Sequence, residues 1–430
     1  LTLYAKPCIL NIYQSFKRLA EREVNKILIT RTEQHQINKS HLMFKVIDEF
    51  CFRSKNLYNV ANYIIRQEFI KNHNYIKYRE MDKMLQQTKE YKLLMSQSSQ
   101  CLLQVLDRNW KSFFVTIKDW TMHPEKYLGK PRIPKYKNKD GRYAWFLKNN
   151  QTFIKDGYLN FRLRIFNGYK FKTNCNGRLI SVRFVPKGNI YIMEIVYETE
   201  ISENIPEVNN ICSIDLGINN FVTMVNNIGL QPIIINGKGV KSINQHYNKR
   251  KAKIQSELKL RNNKYWSKRL NIITLNRNNK VKNYIHHVSH YIVDYCKQHS
   301  IDTLVVGLNK TWKQECKLSD KVTQNFTFIP YDMLIKQLEY KCQDIAIRLI
   351  MTEENYTSGT SFLDNELPIK ESYDKSRRIQ RGLFKSNNGQ LINSDVNGAF
   401  QIMKKVFPNA FVDGIKGCLT PVIINVVKTA

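Results

Sequence analysis

At 430 residues and a hydrophobic share of 42%, the chain is too long for one simple core and apolar enough to bury two or three. Lysine and arginine number 68 against 36 acidic residues, a net charge of +32 with a pI near 9.7, which points to a long polyanion, with a membrane surface as the rival partner. No apolar run approaches the ~20 residues of a membrane-spanning helix, and the nine cysteines (8, 51, 101, 175, 212, 296, 316, 342, 418) include no Cys-x-x-Cys pair, which speaks against a disulfide framework and for free thiols in a reducing compartment.

In chain order, residues 1–24 read as a weak peripheral segment and 27–30 as a short strand. From about 39 to 114 apolar residues recur at helical spacing, as in Phe44, Ile47, Phe50 and Cys51 and again in Leu102, Val105, Leu106 and Phe113. Residues 129–137, Gly-Lys-Pro-Arg-Ile-Pro-Lys-Tyr-Lys, break the pattern with two prolines and alternating cations, an extended loop. Strands follow at 159–163, 180–185 and 190–197, the last two joined by Pro-Lys-Gly-Asn. The stretch 115–200 therefore reads as a small barrel-like β-domain. After a polar linker at 202–210 come strands at 211–214 and 221–225. A very basic helical stretch with almost no core stripe runs from 239 to 282. A helix at 288–296, a strand at 303–306, an amphipathic helix at 331–344 and a strand at 345–351 follow. An irregular segment at 358–391 and a helix at 396–406 complete an α/β half.

Two aspartates stand out. Asp215 lies in Ser-Ile-Asp-Leu-Gly-Ile-Asn-Asn (213–220), at a strand end where Gly217 lets the chain fold back, the antiparallel start of an RNase H-like sheet. Asp395 lies in Ile-Asn-Ser-Asp-Val-Asn-Gly-Ala (392–399) and opens a helix. Carboxylates brought together in this way suit Mg²⁺, the ion that phosphodiester cleavage uses. With the basic charge, they imply a metal-dependent nuclease. The candidate nucleic-acid contacts are Lys130, Arg132, Lys135 and Lys137 in the proline loop and Arg277, Lys280 and Lys282 on the polar helical stretch. Lys310, Trp312 and Lys313 form a further group, and Arg377, Arg378 and Arg381 lie in the basic run 375–381.

The ordered set Ser-Ile-Asp-Leu-Gly-Ile-Asn-Asn, Val-Val-Gly-Leu-Asn-Lys-Thr-Trp-Lys-Gln (305–314), Glu-Asn-Tyr-Thr-Ser (354–358), Arg-Ile-Gln-Arg-Gly-Leu (378–383) and Asp-Val-Asn-Gly-Ala (395–399) resembles the TnpB family, the RNA-guided nucleases of insertion sequences and ancestors of the type V CRISPR effectors. The resemblance runs from about residue 25 onward. It implies a multidomain α+β and α/β fold: a peripheral segment (1–24), a first wedge strand (25–38), a helical recognition domain (39–114), a wedge-like β-barrel (115–205) and a RuvC (RNase H-like) nuclease domain (206–430). It also implies a guide RNA, a short target-adjacent motif read by protein, and DNA cleavage with two Mg²⁺ ions. One copy on one RNA, no membrane and a cytoplasmic, nucleoid-associated setting in a prokaryote complete the expectation.

Two positions depart from the family pattern. Its usual middle acid, a Glu at the end of the strand at 303–306, is replaced by Gly307. Glu353 and Glu354 end the neighbouring strand; Glu354 keeps the Glu-x-Tyr-Thr-Ser register, and adjacent strand residues face opposite sides. The expected metal set is therefore Asp215, Glu354 and Asp395. The Cys-x-x-Cys pairs of many relatives are also missing from the insert 358–391, so no zinc is expected there. The missing acid leaves open a nuclease-dead, RNA-guided DNA-binding repressor. A compact type V CRISPR effector is the third alternative.

Overall fold

The computed structural model describes residues 26–202, 207–308, 328–380, 382–411 and 419–426. It divides into two compact units, Leu28–Glu200 and the described residues from Ile201 onward. No helix among the described residues is long and apolar enough to cross a membrane.

In the first unit, β1 (Lys26–Ile37) precedes four helices, α1 (Phe44–Asn72), α2 (Tyr78–Leu85), α3 (Lys89–Leu94) and α4 (Ser96–Met122). Ile47, Phe50, Cys51, Ser54, Leu57, Tyr58, Ala61 and Ile65 place one buried face along α1, the 3.6-residue period visible in the sequence. The β strands are β2 (Trp145–Lys148), β3 (Thr152–Lys155), β4 (Tyr158–Phe161), β5 (Phe171–Lys172), β6 (Arg178–Lys187) and β7 (Ile190–Ser202). Their pairings make a four-stranded sheet, β1-β7-β6-β2, and a separate three-stranded sheet, β3-β4-β5. The sequence separates a helical from a β segment, whereas the structure packs both around one core. Trp145 is the joint. Its indole stacks on Phe50 of α1 (4.4 Å between centroids) and on Phe184 of β6 (5.2 Å), and its Nε1–H donates to Ser98 Oγ of α4 at 3.1 Å.

In the second unit, β8 (Ile211–Leu216), β9 (Asn220–Asn226), β10 (Ile233–Asn236), β11 (Thr303–Gly307), β12 (Arg348–Thr352) and β15 (Val422–Ile424) form one sheet in the order β12-β11-β8-β9-β10-β15. β8, β11 and β12 are mutually parallel, β9 runs antiparallel to β8 and β10, and β15 pairs in parallel with β10. The helices are α5 (Lys238–Asn262), α6 (Lys268–Gln298), α7 (Tyr331–Asp344) and α8 (Ser394–Val406), with a small hairpin of β13 (Leu383–Lys385) and β14 (Leu391–Asn393) before α8. Both faces of the sheet are covered. Cys212, Ile214, Leu216, Leu304 and Val306 pack with Ile285, Val288, Ile292, Leu334 and Leu338 of α6 and α7. Ile211, Val225 and Val305 pack with Val396, Ala399, Phe400, Ile402 and Met403 of α8. This double cover explains why β8 reads as a nearly continuous apolar run.

The structure departs from the sequence reading in several places. Helix α4 runs on to Met122, past the limit of 114 expected for the helical segment and into the stretch expected to be β, and the helix expected at 288–296 is the end of the longer α6. The strand expected from 345 begins at Arg348, because residues 345–347 close α7: Ala346 sits at φ 57 and Ile347 N–H donates to Cys342 O at 2.9 Å. The α5–α6 pair has a narrow seam after all, Tyr247 and Ile254 against Leu270 and Ile273. The two α5 members are seven residues apart, one contact per two turns, too sparse to register as a stripe. Short strands β10 and β15 escaped notice because neither carries alternation over more than four residues.

Trp145→Ala should destabilise the first unit by about 3–5 kcal/mol, the usual cost of deleting a large buried aromatic. A shift of the denaturant midpoint at constant slope measures it; a change below about 1 kcal/mol would remove Trp145 from its role as the joint.

Candidate active site

Sheet alternation places the acids. Along β8, Ile211 and Ser213 face α8, Ser213 through a 2.6 Å hydrogen bond from its Oγ to Ala399 O, so Asp215 faces α8 as well. Asp395 stands in the first turn of α8, whose N-cap Asn393 accepts from Asp395 N–H at 2.9 Å and Val396 N–H at 3.2 Å. α8 approaches β8 closely: a Cβ on Gly398 would stand 3.0 Å from Asp215 Oδ2. Glu354 follows β12, two positions after Thr352, which is paired with Gly307. Its backbone carbonyl accepts from Thr357 Oγ1 at 2.8 Å.

Gly307 has a spatial meaning. A Cβ there would lie 2.8 Å from both Cγ and Oε1 of Glu354 and 2.5 Å from Ile402 Cδ1. The Glu354 side chain fills the space that a side chain on residue 307 would need. Glu353, one residue earlier, is exposed.

Asp215, Glu354 and Asp395 line a single cleft of about 260 Å³ together with Asn220, Thr357 and Arg378. Asn220 Nδ2 donates to Asp395 Oδ2 at 2.7 Å. Arg378 stands 3.9 Å from Asp395 Oδ1 and donates to Ser394 Oγ at 3.2 Å. Burial raises the Asp215 carboxyl well above its ordinary range, and the charges of Glu354 and Asp395 add to the shift against Arg378. Burial pushes Glu354 up to about 7. The cleft therefore gathers negative charge where water does not stabilise it. Among the described residues, no three His, Cys, Asp or Glu side chains are spaced to hold one metal ion.

The expected basic contacts separate on the structure. Lys130, Arg132, Lys135, Lys280 and Lys282 are exposed. Arg378 reaches the acid cleft. Three others are engaged within the protein. Lys137 lies between the rings of Tyr58 and Tyr143, 4.7 Å from each. Arg277 donates to Asn244 Oδ1, Asn278 Oδ1 and the Phe328 carbonyl. Arg377 makes a two-pronged pair with Glu366, 2.8 Å on each arm, and donates to Asn387 Oδ1 at 2.7 Å. In the insert, Ser361 N–H also donates to Glu366 Oε2 at 2.7 Å, so an ionic clasp closes the insert on itself, and Lys404 Nζ of α8 donates to Asn365 Oδ1 and so ties the insert to that helix. Charge runs in sequence do not reveal which cation has an acid opposite it. Lys310, Trp312, Lys313 and Arg381 lie outside the described residues. Asn220, quoted above only as part of a motif, is the site residue missed; its place beyond Gly217 was the available signal.

The raised Glu354 value fixes a sign. The folded chain favours the protonated carboxyl, so the stability it contributes is full below its ordinary value of 4.5 and is lost as pH rises through about 7. In chelator, Glu354→Gln should melt above the wild type at pH 8, by on the order of 1–2 kcal/mol after allowance for partial exposure, and the gap should close near pH 4. Thermal unfolding at both pH values checks it; an equal gap at both would remove the titration argument. Arg377→Ala should cost about 3–5 kcal/mol, because it leaves Glu366 without its partner in a largely buried position; a loss within about 0.5 kcal/mol would show that the clasp is ornamental.

Residues 194–313 match the family profile OrfB_IS605, described as a probable transposase, and residues 331–402 match the Cas12f1-like TNB domain. The chain is 24% identical over 399 residues to the TnpB-like protein ORF457 of Acidianus two-tailed virus, covering 82% of this chain and 81% of that one. Among solved structures it is similar to a Cas12f1–sgRNA–target DNA complex (TM-score 0.36, 13% identity, 87% of this chain and 98% of that one). It is also similar to the mini-RNA-guided endonuclease CRISPR-Cas_phi3 (TM-score 0.48, 10% identity, 97% and 99%). Two profiles falling in order on the sheet and helices that carry the cleft, and a TnpB-like relative aligned along four-fifths of its length, support a TnpB family protein.

Proposed function

We propose that this protein is an RNA-guided DNA endonuclease that cuts with a RuvC-type, RNase H-like site. The observation that carries the reading is the convergence of Asp215, Glu354 and Asp395, from three separate points of the chain, on one cleft at the strand ends. The strand order β12-β11-β8-β9-β10, with only β9 reversed, supports an RNase H-like sheet. Family membership and the net charge of +32 support guide RNA and target DNA as partners. Closure of the first unit's sheets into a wedge barrel, and the domain limits given above, belong to the same proposal.

The donor set fits Mg²⁺ in chemistry: hard carboxylate oxygens, two of them raised in proton affinity by burial and mutual repulsion, so that a cation relieves what a proton otherwise neutralises. Asp215, Glu354 and Asp395 would hold two ions. When bound, the ions supply activation of water and stabilisation of the leaving oxygen. The residues do the rest. Asn220 orients the Asp395 carboxylate by its 2.7 Å hydrogen bond. Arg378, with an exposed guanidinium beside Asp395, is placed to take a scissile-strand phosphate. The buried flank of Glu354 keeps water from screening the charges.

The repressor reading rested on the missing acid at residue 307. Glu354 in the space above Gly307 removes its motive.

Single-turnover cleavage of a guide-matched target is the test. Asp215→Asn, Glu354→Gln and Asp395→Asn should each lose on the order of 10²–10³-fold or more in rate, with guided DNA binding retained. Glu353→Gln should cut normally. Normal cutting by Asp215→Asn, or a wild type that binds its target and never cuts, would overturn the proposal.

A further inference from the structure

The hairpin of α5 and α6 carries fourteen lysines and arginines between residues 238 and 293 against one acid, Glu257, with Asp294 following near the far end of α6. Its inner seam is small and apolar, Tyr247, Ile254, Leu270 and Ile273. Beyond that seam the chain turns over a well-defined tip. α5 ends at Asn263 in the left-handed region (φ 50), with Asn263 N–H donating to Lys259 O at 3.2 Å and Lys264 N–H to Leu258 O at 3.3 Å. α6 opens under Ser267, whose Oγ accepts from Leu270 N–H at 3.2 Å. Between these two caps sit Tyr265 and Trp266. Gln255 Nε2 donates to the Tyr265 carbonyl at 3.2 Å, and Trp266 Nε1–H donates to Asn271 Oδ1 at 2.5 Å, so the backbone of one and the ring edge of the other are held.

These anchored aromatic residues are largely in solvent: Tyr265 is 60% and Trp266 48% exposed. Lys259, Arg261, Lys264, Lys268 and Arg269 surround them, all exposed. A pair of aromatic side chains among five cations matches a polyanion that also offers flat faces. A duplex hides its base faces in the stack, whereas an unpaired strand presents them, and each base stacked on an aromatic ring contributes about 1–3 kcal/mol. An anionic lipid surface offers the same charge, but the cations here continue down both helices, roughly 35 Å at 1.5 Å per residue, a line that suits a strand better than a plane touched at its tip.

We propose that the α5–α6 tip binds an unpaired stretch of nucleic acid, with Tyr265 and Trp266 stacking on bases and the five cations taking phosphates. The proposal rests on the nucleic-acid reading above for the class of partner and is independent of the acid cleft.

The test uses the full-length chain and a fluorescein-labelled oligothymidylate strand, compared with the same strand in a blunt duplex. Tyr265→Ala/Trp266→Ala should weaken single-strand binding by about 10–100-fold and duplex binding by less than about 3-fold. The salt dependence should stay unchanged, because no cation is removed. The Tyr265→Phe/Trp266→Phe variant should bind like the wild type. Both positions are exposed, so melting temperature should not move. Photocrosslinking of a strand containing 5-iodouracil should attach to Tyr265 or Trp266. Unchanged single-strand binding by the alanine variant, equal losses on strand and duplex, or crosslinks confined to other segments would each overturn the proposal. So would loss of binding to phosphatidylglycerol vesicles with strand binding intact, which would mark a lipid contact. Cleavage is not read, so failure of the catalytic assignment leaves this result standing.

Discussion

Two-residue alternation in a sheet covered on both faces decides on which face Asp215, the acid at the centre of the cleft, stands. The α6–α7 face of β8 takes Cys212, Ile214 and Leu216; the α8 face takes Ile211, Ser213 and Asp215. One residue of slippage would turn Asp215 toward α6 and α7, onto the face packed with apolar side chains. Beyond the end of β12, Glu354 lines the cleft and Glu353 is exposed. The apolar packing that holds the sheet together is therefore what aims its charges.

Those charges then oppose the fold that positions them. Asp215 and Glu354 both sit where burial penalises the ionised form, and the charges of Glu354 and Asp395 make ionisation of Asp215 less favourable still. Only one cation of the described residues, Arg378, is placed to offset this at the cleft, and it lies at 3.9 Å from Asp395. A site left short of positive charge inside a chain of net charge +32 is a local inversion of the protein's average. It is the arrangement expected where a metal ion supplies the balance. The neighbouring insert follows the opposite rule. Glu366 and Arg377 satisfy each other there, and Lys404 joins the insert to α8. Polar pairing does the holding in a segment without cysteine.

Much of this was legible in the residues. The run Ile-Cys-Ser-Ile-Asp-Leu announced a buried strand ending in a carboxylate, and α8 follows from Asn393 at the cap and the apolar face of Val396, Ala399, Phe400 and Met403. Glu354 was chosen over Glu353 by the Glu-x-Tyr-Thr-Ser register, with parity arguing only that both should not face inward; in the structure Glu354 lines the cleft and Glu353 is exposed. What could not be read was pairing between distant segments. Lys137, Arg277 and Arg377 look like free cations in a linear chain; their partners Tyr58, Asn244 and Glu366 are brought to them by tertiary contacts that leave no periodic trace. The same holds for the shared core of the first unit, where Phe50 and Trp145 meet across 95 residues. The aromatic pair at the α5–α6 tip was hidden for another reason: exposure, unlike hydrophobicity, is not written in a residue type.

The central claim is that Asp215, Glu354 and Asp395 together hold divalent metal. Anomalous scattering from crystals of the wild-type protein grown with Mn²⁺ tests it most directly. The account predicts two peaks in the cleft, each within coordination distance of at least two of these three carboxylates. A cleft without peaks in protein that cuts DNA, or peaks held by Glu353 or other acids, would contradict it.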